Sequence, residues 1–270
     1  MARPLILIRG GGDLASGVGV RLNRCGFAVA VLEIPQPLAV RRLVAFAEAV
    51  YAGEIDVEGV RGRKAEDLGA ARRILGEGDV PILVDPGAGT RHQLNPDAIV
   101  DGRMLKQNVG SQMVTAPLIV GLGPGFEVGV NCHAVVETNR GHRMGRVFWE
   151  GRAQRDTGVP EPVAGYAVER VLRAPASGLI ISRVALGTVV AQGEVIAEVG
   201  GVPLEAAFEG ALRGLMHDGL SVEEGEKIGD LDPRGVVEYC YQVSDKALAV
   251  GGGVLEALLS QASIRAALGT

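Results

Sequence analysis

Aromatic residues are few in this chain: five Phe, four Tyr and one Trp among 270 residues. Proteins that grip single-stranded nucleic acid need aromatic faces for bases to stack on, so that class is disfavoured. Basic tracts are missing too, and the formal net charge is −5. Without a cationic stripe, no DNA or RNA partner is expected. No apolar run is long enough to cross a bilayer. The N-terminus has no charged segment leading into a long apolar stretch and a small-residue cleavage site, because Leu5–Ile8 is too short. A cytoplasmic protein with no membrane association is therefore expected.

Cysteine is scarce and dispersed. Cys25, Cys132 and Cys240 form no CxxC pair and no disulfide framework. His92, His133, His142 and His217 are equally scattered, and no zinc-ligand spacing appears. What is plentiful is glycine, at 40 residues, beside 13 Pro and an apolar share of 47%. That composition supports a proper core, many turns, short helices and one or two domains.

The chain opens on an apolar run, Leu5-Ile6-Leu7-Ile8, followed by Arg9 and three glycines, Gly10, Gly11 and Gly12. A helical pattern through Leu14, Val18 and Leu22 comes next, then a second strand, Phe27–Leu32, ending at Glu33. Strand, glycine turn, helix and strand make a βαβ unit. Glycines there allow a sharp bend and close approach of a ligand. The helix start offers unpaired N–H groups suited to a phosphate. Glu33 falls 23 residues after Gly10, about where an acidic residue meets a ribose hydroxyl in dinucleotide folds. Ala15 replaces the third fingerprint glycine, and Asp13 adds negative charge beside the turn. The alternative is a tight turn in a flavodoxin-like sheet with nothing bound.

Further along, the spacing of Val40, Leu43, Val44, Ala47 and Val50 predicts a helix, in which Arg41 and Arg42 either hold an anion or solvate a face. Short apolar strands follow at 80–84, 98–101 and 117–122, with a helix at 65–75 between 54–61 and the first of them. Such an alternation predicts a mostly parallel sheet, whose ligands collect beyond the carboxyl ends of the strands. That rim would gather the first glycine turn with Asp13 and Ser16, Glu33, Asp85, Asp101 with Arg103 and Lys106, and the turn holding Gly123 and Gly125. Asp85 and Asp101 read equally as caps of turns.

Residues 131–138 and 146–150 read as two strands joined by a hairpin that carries Arg140, His142 and Arg143. That cluster suits a phosphate or carboxylate, or is a solvated tip. Cys132 and His133 are neighbours on a strand, hence point to opposite faces, and Cys132 reads as a buried inert thiol.

From Ala174 the glycines become regular. Gly178, Gly187 and Gly193 recur as Gly210, Gly219 and Gly225, at a constant offset of 32 residues. Two repeats of short strands can bury each other's apolar faces. The pattern resembles the barrel-sandwich hybrid of biotinyl and lipoyl carrier domains. Its junction, residues 200–207, has no lysine, so covalent biotin or lipoate is excluded there. The tail contains a predicted strand at 236–241 and an apolar helix holding Gly251, Gly252 and Gly253, expected to return to the first domain. The expected fold is thus α/β: a Rossmann-like domain over 1–165, a barrel-sandwich hybrid over 166–235, and a C-terminal strand and helix over 236–270.

Several runs together resemble the YqeB family. They are Ile8–Gly17; Leu32–Pro35 with Arg41, Arg42 and Phe46–Val50; Gly121–Phe126; Glu137–His142; Val171–Pro175; Asp232–Gly235; and Ser244–Ala247 with Gly251–Glu256. The YqeB family is associated with the selenium-dependent molybdenum hydroxylase system. The chain is also distantly similar to XdhC-type proteins, which handle the molybdopterin cofactor through a Rossmann-like domain. The resemblance implies an accessory protein that matures or inserts a molybdenum cofactor, and meets a hydroxylase or other maturation proteins. A molybdopterin-type cofactor or nucleotide would lie across the glycine turns. An NAD(P)-dependent oxidoreductase and a non-catalytic hydroxylase-binding scaffold are the alternatives. No catalytic residue is assigned, and a homo-oligomer is compatible with the sequence.

Overall fold

The computed structural model describes residues 3–106, 116–156, 158 and 162–269, which fall into two compact units. The first comprises Met1–Pro37, Ala45–Thr157 and Val243–Thr270. It is built from β1 (Leu5–Arg9), α1 (Asp13–Arg24), β2 (Ala28–Glu33), α2 (Ala49–Ala52), β3 (Glu54–Val57), β4 (Val60–Ala65), α3 (Leu68–Glu77) and β5 (Val80–Val84). Then follow α4 (Arg91–Leu94), β6 (Ala98–Asp101), β7 (Ile119–Leu122), β8 (Ala134–Val136) and β9 (Val147–Phe148). After the second unit come α5 (Asp245–Leu259) and α6 (Ala262–Leu268).

The nine strands form one sheet in the order β3-β4-β5-β2-β1-β6-β7-β8-β9. Pairs from β4 to β8 are parallel, and both edge pairs are antiparallel. The central strands are apolar throughout because both faces are covered: Ile6, Leu7 and Ile8 are 0% exposed. The β3–β4 hairpin follows from its turn. Glu58 and Gly59 have φ of 51° and 83°, the two left-handed positions of a type I′ connection.

Helix ends follow local chemistry. Asp67 accepts from the Ala70 N–H at 2.7 Å to start α3, and left-handed Gly78 closes it. Ser244 caps α5 by accepting from the Ala247 N–H at 3.1 Å. α1 has no side-chain cap. Helices α1 and α5 pack closely: a methyl group on Gly17 would stand 2.6 Å from Ala247 Cβ. The glycine run of α5 serves the same end, since a side chain on Gly253 would collide with the Gly145 carbonyl.

The second unit takes Leu38–Val44 and Gly158–Gln242. Its strands are β10 (Val171–Arg173), β11 (Gly178–Ser182), β12 (Val189–Val190), β13 (Val195–Val199), β14 (Val202–Glu205), β15 (Gly210–Leu215), β16 (Ser221–Val222) and β17 (Lys227–Asp232). They form two four-stranded antiparallel sheets, β10-β17-β15-β12 and β14-β13-β11-β16. Ile180, Ile196, Leu212, Ile228 and Leu231 fill the core.

The expected Rossmann-like sheet joined to a biotinyl- or lipoyl-like barrel-sandwich hybrid is corrected by this topology. The large sheet is mixed, and the smaller unit is a pair of antiparallel sheets. The repeated glycines do turn the chain at positive φ, as at Gly187, Gly193, Gly219 and Gly225. Turn positions, however, do not dictate which sheet a strand joins. The helix expected over 40–50 is also absent. Short 3-10 turns stand at Arg42–Val44 and Phe46–Glu48 instead. Val40 packs on the core of the second unit while Phe46 is buried in the first, so the apolar spacing served two cores. The strand expected at 236–241 is a 3-10 turn, Val237–Cys240.

Candidate functional site

Strand β1 lies between β2 and β6, the point in the strand order beyond whose carboxyl ends α/β sheets hold ligands. The first glycine turn stands there. Its three glycines are not equivalent. Gly10 has a φ of +85°, and a side chain on it would press the Arg103 backbone at 3.3 Å. A Cβ on Gly11 would stand 2.9 Å from the Ala47 nitrogen. Gly12 has a φ of −64° and open space where a side chain would go.

Much of the turn is satisfied by the protein itself. The Gly11 N–H donates to Glu33 Oε2 at 2.6 Å, and the Ile34 N–H donates to Glu33 Oε1 at 2.8 Å. Glu33 is thus turned inward, and neither oxygen is left to a ribose alone. Ser16, fully buried, donates to the Gly11 carbonyl at 2.9 Å and accepts from the Phe46 N–H at 2.7 Å. It clamps the turn and does not face a ligand.

Asp101 ends β6 at 4% exposure and is shared by two arginines. Arg103 grips both oxygens, Nε to Oδ1 at 2.8 Å and Nη2 to Oδ2 at 2.7 Å. Arg9, at the end of β1, adds Nη1 to Oδ2 at 3.2 Å. Burial first, then Arg103 and Arg91, hold the Arg9 guanidinium below its ordinary pKa, against the pull of Asp101 and Asp85. Two guanidiniums on one carboxylate leave surplus positive charge at this edge. Asp85 is a turn cap, accepting from the Thr90 N–H at 2.7 Å and the Thr90 hydroxyl at 2.6 Å.

The loop after Asp101 ties the two glycine turns together. A methyl group on Gly102 would be 2.7 Å from Ala15 Cβ, and one on Gly123 would be 2.7 Å from Thr138 Oγ1. A side chain on Gly125 would collide with the Leu105 carbonyl. Gly123 and Gly125 are therefore glycines because neighbouring chain occupies their space.

The start of α5 meets the chain leaving β8 near the start of α1. Arg140 donates to Asp245 through Nη1 at 2.6 Å and Nη2 at 2.7 Å. Glu137, 2% exposed, accepts from the N–H groups of Asn139 at 2.7 Å and Gln154 at 2.8 Å. Lys246 is half-buried in this corner, with Asp13, Glu137, Arg140 and Asp156 within electrostatic reach. Lys106 is exposed and pairs with Asp156 at 3.5 Å. His142 and Arg143 stand exposed in the hairpin and form no ion pair among the described residues.

The structure thus brings Gly12, Asp13, Asp101 and Arg140 to one edge and gives structural duties to Gly10, Gly11, Ser16, Glu33, Gly123 and Gly125. Arg9 and Lys246 join the edge without having been site candidates in the sequence. The only signals were a charge ending an apolar strand and a lysine just after a capping serine. Among the described residues no group of three or more His, Cys, Asp or Glu could hold a metal ion. No single helix there is long and apolar enough to cross a membrane.

The chain is 49% identical over 255 residues to YqeB of Escherichia coli (strain K12), whose full name is "Uncharacterized protein YqeB". Over those 255 residues the chain is similar to YqeB. The match takes in 94% of this chain and 47% of YqeB, so the chain spans about half the length of that relative. No family model matches. Among solved structures it is similar to an aspartoacylase family protein of Mesorhizobium loti MAFF303099, at 13% identity and a TM-score of 0.29, over 85% of each chain. A succinylglutamate desuccinylase of Silicibacter sp. TM1040 matches at 14% identity and a TM-score of 0.26, again over 85% of each chain. At these scores the likeness carries neither fold nor chemistry to this chain.

The expected role in maturing or inserting a molybdenum cofactor does not stand. None of these proteins is a molybdenum-cofactor, selenium or XdhC-type protein by name. The NAD(P)-dependent oxidoreductase reading is corrected with it: the carboxylate that should meet the ribose, Glu33, is bonded to Gly11 and Ile34. The hydroxylase-binding scaffold falls with the system it was to serve.

Proposed function

We propose that the chain binds an anionic small molecule, bearing a phosphate or carboxylate group, at the edge formed by Arg9, Gly12, Arg103 and the start of α1. Gly12 carries the proposal. Its φ of −64° suits any residue and a side chain would meet nothing, so neither conformation nor packing calls for glycine there. The place is the N-cap of a 12-residue helix that lacks a side-chain cap. A residue with no side chain leaves the first amides open to a ligand anion, and the helix dipole favours negative charge. The surplus charge of the Arg9–Asp101–Arg103 group adds a second attraction. A cytoplasmic setting belongs to the same proposal, and three free cysteines suit a reducing compartment.

The test is thermal shift with inorganic phosphate, pyrophosphate, succinate and nucleotides, on the wild-type chain and on Gly12→Val. A ligand that binds the native state must raise the midpoint. A rise in the wild type that disappears in Gly12→Val supports the site. No rise with any of these anions removes it.

A further inference from the structure

The corner between α1, α5 and the chain leaving β8 holds a lysine whose placement no structural need explains. Of the 27 basic side chains, four are lysines: Lys64, Lys106, Lys227 and Lys246. Lys64 pairs with Glu66 at 3.3 Å, and Lys106 pairs with Asp156. Lys227 is exposed. Lys246 is half-buried and forms no hydrogen bond or ion pair among the described residues.

Three of the carboxylates around it, Asp245, Glu137 and Asp156, are engaged elsewhere. Asp245 is held by both terminal nitrogens of Arg140. Both oxygens of Glu137 accept backbone N–H groups, and Asp156 faces Lys106. Lys246 also lies in the first turn of a 15-residue helix, two residues after its cap, where the dipole disfavours a cation. A lysine placed for charge would sit at the other end. Arginine, which the chain uses almost everywhere else, could not lose its proton there; lysine can.

We propose that Lys246 is a reactive amine that condenses with the carbonyl carbon of an anionic oxo compound, an α-oxo acid or aldehyde acid, held at this edge. The proposal rests on the anion-binding reading above and narrows its ligand class. The Nζ lone pair attacks the carbonyl carbon and a C–N bond forms. The carbonyl oxygen takes two protons and leaves as water, so the product is an imine and nothing is oxidised or reduced. The surroundings keep the amine available. Burial first, then Arg140, hold Lys246 below the ordinary lysine pKa, while Asp13, Asp156 and Glu137 pull the other way. The more readily a lysine gives up its proton, the more of it stands as the nucleophilic amine at a given pH.

The experiment incubates the folded full chain with glyoxylate and cyanoborohydride at pH 7 and follows labelling by peptide mass spectrometry. Hydride from the reagent reduces any imine to a stable carboxymethyl-lysine. The other three lysines serve as references in the same sample. Lys246 labelled several-fold faster than Lys64, Lys106 and Lys227 is the expected result. In Arg140→Ala, loss of the neighbouring cation returns Lys246 toward the ordinary range and slows its labelling at pH 7. Labelling of Lys246 no faster than the references overturns the proposal. If succinate or phosphate still raises the thermal midpoint in that case, only the amine chemistry fails. If neither does, the anion site fails with it.

Discussion

The first glycine turn allows a sharp separation of fold from ligand. Gly11→Ala and Gly12→Val alter neighbouring positions with opposite expected consequences. At Gly11 the new methyl carbon would stand 2.9 Å from the Ala47 nitrogen and 3.1 Å from Val31 Cγ1. The Ala47 N–H is also tied to the Gly11 carbonyl at 2.9 Å, so it cannot step aside freely. Overpacking of this kind costs about 1–3 kcal/mol. At Gly12 the backbone, with φ −64° and ψ 172°, is extended and accepts a β-branched residue, and the space is open. A change at such a place shifts stability by no more than about 0.5 kcal/mol. With anion present at a hundred times its dissociation constant, the wild type gains about 2.7 kcal/mol. Gly11→Ala, once folded, keeps that increment; Gly12→Val loses it. Urea unfolding followed by emission of the single tryptophan, Trp149, measures both, with and without phosphate. Gly12→Val that unfolds early, or that keeps the full increment, would refute the reasoning.

Other outcomes follow from the same structure. Ser16→Ala removes a donor to the Gly11 carbonyl and leaves the Phe46 N–H without its acceptor, so urea unfolding should show a loss of about 2–4 kcal/mol. Cys132 is fully buried and burial pushes its thiol up to about 11, while Cys25 is exposed. At pH 8 a thiol reagent should label Cys25 in the folded chain and all three cysteines only in urea. In the second unit Asp232, 1% exposed, is gripped by Arg234 and Arg213. Burial would raise its pKa, but the Arg234 hydrogen bonds and both charges outweigh that and hold it below the usual carboxylate value. Its contribution is therefore fully present above about pH 4, the unfolded value, and is lost as pH falls through the lower folded one. Asp232→Asn should flatten the acid limb of urea midpoints measured from pH 7 to pH 3; an unchanged limb would show that the Asp232 carboxylate adds nothing.

What could be read directly from the residues was local. Leu5–Ile8, the glycines after them and the apolar face of α1 gave a strand, a bend and a helix, because those signals depend on near neighbours. The paired glycines at a constant offset placed turns in the second unit for the same reason. Partnership was not readable. That Glu33 folds back onto Gly11, that Ser16 clamps Phe46, that Thr138 fills the space beside Gly123 and that Leu105 fills the space beside Gly125 all depend on segments apart in sequence. So do the edges of the large sheet, where β3 and β9 turn antiparallel, and the splitting of the 40–50 segment between two cores. The sequence alone determined where the backbone bends and which stretches are apolar enough to be covered, since both are set residue by residue. Tertiary structure decided which of the three neighbouring glycines is open, which carboxylates are already engaged, and that Lys246 forms no ion pair among the described residues, because those facts exist only once distant atoms compete for the same hydrogen bonds and the same space.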